Sequence, residues 1–200
     1  MILYAWIHAI NLRFVVYKNT EMAKTIQVHD KKFKKIISSE KIQKANNIIA
    51  KKLNKDYKNK KPIFISVLNG SFLFTSDLIK KVNIECEISF IKISSYSGTQ
   101  STGNMNTLIG LNETLKGRNV VVLDEMVDSG NTIEKVINEL KKLNPKTIKI
   151  ATLFFKPDAY KKKIKLDYVG IKVPNDFLVG YGLDYDGLGR NYQDIYVLDK

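Results

Sequence analysis

Thirteen residues, Val120 to Thr132, constrain the fold of this 200-residue chain more than any other stretch: VVVLDEMVDSGNT. Val120 to Leu123 are four apolar, mostly β-branched residues, the composition of a strand buried on both faces. Asp124 and Glu125 follow, where such a strand is expected to end. A short turn, Asp128-Ser129-Gly130-Asn131-Thr132, comes next. Then Ile133, Val136, Ile137, Leu140 and Leu143 recur at the spacing of one helix face. The turn therefore belongs at the carboxyl end of a parallel strand and the amino end of a helix, which is where open α/β sheets bind ligands.

That placement dictates chemistry. A helix amino end offers unpaired N–H groups and a partial positive charge, and so suits a phosphate. Gly130 allows close backbone approach, and Ser129 and Thr132 add hydroxyl donors. Asp124 and Glu125 would repel a phosphate directly, but they accept hydrogen bonds well and suit a polyol or a hydrated magnesium ion. A phosphate turn beside acids that hold a sugar describes a ribose 5-phosphate site. The plain alternative is a strand–turn–helix with a solvated acidic turn.

The segment resembles the signature of the phosphoribosyltransferases that use phosphoribosyl pyrophosphate (PRPP): four apolar residues, two acids, two apolar residues and a small-residue phosphate loop. It departs at Glu125, where the family nearly always has Asp, so the acid pair is reversed in order. The resemblance implies PRPP and ribose-phosphate contacts from Asp124, Glu125, Asp128, Ser129, Gly130, Asn131 and Thr132.

Composition narrows the rest. The chain is 44% hydrophobic and 26% charged, ordinary for a globular protein, and its length fits one domain. A single cysteine, Cys86, excludes a disulfide framework and fits a reducing cytoplasm. Two histidines, His8 and His29, with that one cysteine make a zinc cluster a poor reading. The net charge of +13 invites a nucleic-acid reading. Yet only Arg13, Arg118 and Arg190 are arginines, whereas base readout favours arginine. Scattered lysine pairs read as solvated helix faces, with steering of an anionic substrate as a side benefit.

From the amino end, residues 1–21 read as an appendage ahead of a domain spanning 22–200. Met1 to Val16 is apolar but lacks the basic start and cleavage site of a signal peptide, and Arg13 interrupts it short of a membrane span. Ser38 and Ser39 are good N-caps for a helix carrying Ile42, Ala45, Ile49 and Leu53. Ile63 to Leu68 is a buried strand, and SFLFTSDLIKKV after Asn69-Gly70 is helical, giving strand–loop–helix. Ile84 to Ile93 alternates like a strand, Ser94 to Thr107 is a polar loop long enough for a lid, and Thr147 to Phe155 and Asp167 to Val173 are further strands.

The resemblance extends along Lys24 to Leu198, to the hypoxanthine–guanine phosphoribosyltransferases. It implies a pyrophosphate loop at Leu68, Asn69 and Gly70, in which the peptide preceding the glycine can be cis, with Arg190 as a further pyrophosphate contact. It implies a closing loop at Ser95 and Tyr96. It assigns Lys156 to the 6-oxo group of the purine, Phe177 to stacking, and the backbone of Leu178 and Asp184 to the 2-position. Asp184, with Asp124 and Glu125, would hold Mg2+, and Asp128 would serve the proton at N7.

The expected architecture is α/β, the type I phosphoribosyltransferase fold: a central parallel sheet flanked by helices, with a small hood over the base site. The implied reaction is transfer of ribose 5-phosphate from PRPP to N9 of hypoxanthine or guanine, giving IMP or GMP and pyrophosphate. The rivals are a xanthine-preferring relative and a PRPP-sensing regulator of the same fold. Expected partners are small molecules and a second copy, as homodimer or homotetramer, with no nucleic acid and no membrane.

Overall fold

Strand β6 (Asn119–Val127) and helix α3 (Asn131–Lys142) are the strand and helix of the signature. Val120 to Leu123 are fully buried, because neighbours cover the strand on both faces. The strand does not end at the acids: it continues through Asp124 and Glu125 to Val127, held by the partners Asp124↔Thr152, Met126↔Phe154 and Val127↔Phe155. The helix buries Ile133, Val136, Ile137 and Leu140, each contributing about 1.5–3 kcal/mol for a full-sized side chain. Leu143, the last of the periodic set, is the C-cap and stays 44% exposed.

The structure, a computed structural model, describes residues 24–93, 107–109 and 114–199. Residues 1–21, expected to be an appendage, and Ser95 and Tyr96, expected in a closing loop, lie outside these.

The central sheet runs in the order β5-β4-β3-β6-β7-β8, with β3 (Ile63–Leu68), β4 (Glu87–Ile93), β5 (Thr107–Ile109), β7 (Thr147–Phe155) and β8 (Tyr168–Lys172). Five strands are parallel, and β5 is antiparallel at the edge. The chain runs from β3 outward to β4 on one side, and from β6 outward through β7 to β8 on the other. The order therefore reverses between β3 and β6, and a crevice opens there at the carboxyl ends.

Strand β4 differs from the alternation in its sequence. It starts at Glu87, so Ile84 and Cys86 precede it, and Ile88 and Phe90 point outward at 40% exposure each while Ser89 and Ile91 are buried.

Helices α1 (Ser39–Asp56) and α2 (Phe72–Ile79) cover the face opposite α3. The Ser38 hydroxyl accepts from the Lys41 amide and caps α1, a contact of about 1 kcal/mol. Lysines close the helices at the far pole: Lys55 in the last turn of α1, Lys141 and Lys142 in that of α3. Their charge meets the negative helix ends, which accounts for part of the basic excess without any anionic partner.

A second sheet, order β1-β2-β10-β9, is antiparallel and drawn from both ends of the described chain: β1 (Thr25–Val28), β2 (Lys31–Ile37), β9 (Leu178–Val179) and β10 (Ile195–Leu198). This is the expected hood. Its own small core is Val28, Phe33, Val179 and Tyr196. Asp194, only 1% exposed, fastens it to α1: one carboxylate oxygen accepts from the Ser39 amide at 2.7 Å and the other pairs with Lys35 at 3.2 Å.

Candidate active site

The loops leaving β3, β6 and β7 meet at the crevice, and the segment after β8 closes it from the hood. Leu68 ends β3 and Asn69 and Gly70 follow it, Asp128 to Thr132 follow β6, and Lys156 follows β7. The structure brings Gly70 against Glu125 and Gly182, Asp128 against Lys156, and Asp184 against Arg190, from separate parts of the sequence.

Asp124 is 5% exposed, and burial pushes its carboxyl up to about 7. Burial, then the neighbouring Asp124 charge, also raises Glu125 well above the ordinary carboxylate range, against an opposing pull from Arg190. Glu125 reaches back over the loop after β3. Its carboxylate lies against the α-carbon of Gly70, filling the space of a β-carbon, so no larger residue fits at 70 with Glu125 in this position. The same loop also meets Gly182, whose α-carbon packs on the Gly70 carbonyl at φ 98°. The cis peptide is Leu68–Asn69, one bond earlier than the peptide preceding the glycine. Asn69 is exposed and Gly70 buried.

At the foot of α3, Gly130 is the N-cap with φ 86°, and no side chain caps the helix. The first helical amides are left for a ligand or water. The Asn131 amide reaches only the Ser129 hydroxyl at 3.5 Å, and Asn131 and Thr132 are exposed. The ring of Tyr160 lies against Gly130, a neighbour the sequence did not announce because Tyr160 sits in the irregular segment after β7.

Lys156 is 7% exposed, unlike an ordinary lysine at a strand end. Its ammonium lies 3.0 Å from the Asp128 carboxylate. Phe177 is 45% exposed and meets Tyr185 edge-on, with ring centroids 5.7 Å apart. At that exposure it is not part of the core. Leu178 is buried in β9. Asp184 and Arg190 are paired with each other at 2.6 Å, while Arg190 also donates to the Gly182 carbonyl and Asp184 accepts from the Gly187 amide.

Among the described residues no three His, Cys, Asp or Glu side chains gather to hold a metal by themselves. The donor set fits a hydrated magnesium ion nonetheless. Such an ion keeps several waters and takes one or two protein carboxylates beside substrate phosphates, and Asp124, Glu125 and Asp184 offer those carboxylates at the crevice. No helix among the described residues is long and apolar enough to cross a membrane.

Comparison with known proteins agrees with this geometry. The family model of the phosphoribosyl transferase domain matches residues 33–186. The chain belongs to the phosphoribosyltransferase family. A hypoxanthine phosphoribosyltransferase of Buchnera aphidicola subsp. Schizaphis graminum is 40% identical over 155 residues, 76% of this chain and 88% of the relative. A bifunctional protein of Listeria monocytogenes, TilS/HprT, is 36% identical over 172 residues, 86% of this chain. The chain spans about a quarter of that relative's length, 26%. The crystal structure of a hypoxanthine phosphoribosyltransferase from Staphylococcus aureus superposes with a TM-score of 0.78 at 34% identity, covering 83% of this chain and 91% of the other. The phosphoribosyltransferase fold and the hood over its crevice are therefore those expected from the sequence.

Proposed function

We propose that this phosphoribosyltransferase moves ribose 5-phosphate from PRPP to N9 of hypoxanthine or guanine, releasing pyrophosphate and forming IMP or GMP, a purine-salvage reaction. The observation that carries this reading is the buried Lys156 ammonium 3.0 Å from the Asp128 carboxylate. That pair suits the edge of a 6-oxopurine, and the half-exposed ring of Phe177 is the one proposed to stack on its face. The ammonium donates to the 6-oxo oxygen, and the carboxylate exchanges the proton at N7. Adenine fits poorly, since its 6-amino group and the ammonium would both donate.

The remaining roles follow from position. The uncapped amino end of α3 receives the 5-phosphate through Ser129, Gly130, Asn131 and Thr132. Asp124 and Glu125 accept from the ribose hydroxyls. The loop of Leu68, Asn69 and Gly70 offers backbone N–H groups to pyrophosphate, and Arg190 adds charge once it leaves Asp184. The backbone at Leu178 and Asp184 meets the 2-position of the base. Asp184, Asp124 and Glu125 would hold magnesium, which when bound spreads the charge of the departing pyrophosphate. The cytoplasm, where free PRPP and purine bases meet, is the proposed compartment.

The proposed assembly is a homodimer or homotetramer. Ile88 and Phe90, outward-facing on β4, support self-association, and light scattering of wild type against Phe90→Lys reads it directly. The reaction itself is tested by supplying PRPP, magnesium and each purine in turn and following base consumption. Turnover of hypoxanthine or guanine with adenine inert is expected. Equal use of adenine, or consumption of no base, defeats the reading.

A further inference from the structure

The segment after β8 grips the loop after β3 at two adjacent residues. Gly182 packs on the Gly70 carbonyl. Tyr181, one residue earlier, is 4% exposed and reaches α1 and α2. Its hydroxyl donates to Asp77 of α2 at 2.7 Å and accepts from the Asn46 amide of α1 at 2.9 Å. Gln43 of α1 donates to the same Asp77 oxygen at 2.5 Å. Tyr181 holds a left-handed backbone, φ 45°, uncommon for a residue that is not glycine. Its amide donates to the Tyr192 carbonyl, and the amide of Gly182 to that of Arg190, so the backbone on either side is fixed.

Helix α2 begins immediately after the loop. Ser71 closes the loop by donating to the Val67 carbonyl at 2.6 Å, in contact with the buried Ser66 hydroxyl, which also meets Thr75. These bonds tie the loop to the start of α2, and Asp77 sits in the next turn of the same helix. The Tyr181–Asp77 bond joins it to the residue next to Gly182. A tyrosine needed only for packing would be served equally by phenylalanine. Here the hydroxyl is the shared member of a chain of Asn46, Tyr181, Asp77 and Gln43, buried at Asn46 and Tyr181 and half-buried at Asp77 and Gln43. Leaving such a chain one member short has a cost that falls on all of it.

We infer that Tyr181 is a positioning residue for the loop of residues 68–71: its hydroxyl, held by Asp77, sets how Gly182 meets the Gly70 carbonyl and thereby tunes the loop for pyrophosphate. The inference rests on the proposed function, in which that loop receives the pyrophosphate of PRPP. It assigns Tyr181 to the PRPP side of the reaction, although the segment that carries it faces the base.

The test compares wild type with Tyr181→Phe, Asp77→Asn and the double variant, by steady-state kinetics and by calorimetric binding of pyrophosphate with magnesium. Tyr181→Phe is expected to raise the KM for PRPP and the Kd for pyrophosphate on the order of 5–10-fold, the scale of one hydrogen bond. The KM for the base and kcat should stay within about twofold, and unfolding should remain cooperative. Asp77→Asn keeps an acceptor for the phenol and should sit nearer wild type. The double variant should lose no more than Tyr181→Phe alone, the non-additivity of partners in one contact. Unchanged PRPP and pyrophosphate affinity in Tyr181→Phe overturns the inference. So does a loss spread evenly over kcat and both KM values, the signature of general loosening. A wild-type protein that binds neither PRPP nor pyrophosphate overturns the functional reading and this inference together.

Discussion

Lys156 and Asp128 are neighbours because Val127 and Phe155 are. Those two residues are register partners at the ends of β6 and β7, and each is followed by one of the charged pair. The Lys156 amide donates to the Val127 carbonyl at 3.0 Å, and the two side chains close at the same separation. The Asp128 side chain is 49% exposed, so the ion pair contributes well under about 1 kcal/mol to stability. A weak pair at the crevice floor is easily exchanged for contacts with a base.

Asp128→Asn keeps the shape of the turn but cannot take a proton. It should lower kcat by about 10²–10⁴ while PRPP binding holds or improves, since a negative charge beside the phosphate loop is gone. Thr132→Ala should instead raise the KM for PRPP with kcat largely kept. Measuring both constants for both variants separates the roles; a near-wild-type kcat in Asp128→Asn would reduce Asp128 to a loop-shaping residue.

Lys156→Met removes the buried ammonium and retains most of the stem volume. Binding of hypoxanthine should weaken by about 1.5–3 kcal/mol, the scale of a charged hydrogen bond. PRPP affinity should barely move. A variant that loses PRPP affinity as strongly as base affinity would show that Lys156 chiefly shapes the phosphate loop through Asp128.

Gly70→Ala puts a methyl group where the Glu125 carboxylate lies. The colliding atoms are the far end of a flexible side chain, so Glu125 is expected to swing away at little cost in stability. The carboxylate would be misplaced toward the sugar, and the KM for PRPP should rise several-fold. Glu125→Asp, one methylene shorter, withdraws from the collision. The double variant Gly70→Ala/Glu125→Asp should therefore recover part of the loss. If the double variant is as impaired as the sum of its parts, the Glu125–Gly70 contact is incidental.

The strand–turn–helix of residues 120–142 was legible because its apolar periods are unbroken and its turn is rich in small polar residues. The boundaries of β3 were legible for a similar reason, with Pro62 before it and Asn-Gly after it. The end of β6 was not. Carboxylates stop a strand only where they must reach water, and here Asp124 stays in the ladder, opposite Thr152, with its carboxyl raised to about 7 by burial. The outward face of β4 defeated pattern reading too, since Ile88 and Phe90 look like core residues when only local alternation is counted. Contacts that hang on atomic detail, such as Glu125 on Gly70 or Tyr181 on Asp77, carry no sequence period at all. They pair residues 55 and 104 positions apart and emerge only once β3, β6 and the hood are assembled.

The buried acid pair also predicts how stability responds to pH. The Asp124 carboxyl is raised by burial from its ordinary 3.8 to about 7, and Glu125 is raised by burial and by the Asp124 charge. A raised carboxyl means that the folded protein keeps a proton which the unfolded chain gives up near pH 4. Stability then falls with rising pH wherever the folded state binds more protons. The contribution is fully present below about pH 4 and is lost as pH rises through about 7, at roughly 1.4 kcal/mol per pH unit for each proton held. Below pH 4 the carboxylates whose pKa is lowered, Asp77 among them, act in the opposite sense, so the clean window is pH 5 to 8. Urea unfolding without divalent cations should show wild type losing a few kcal/mol across that window. Asp124→Asn removes one of the two titrating groups and should reduce the slope. It should also exceed wild type in stability at pH 8, where the native pair must otherwise carry buried charge. Parallel slopes for the two proteins would mean that water or a neighbouring cation already solvates Asp124, and that its ionisation at the crevice costs the fold nothing.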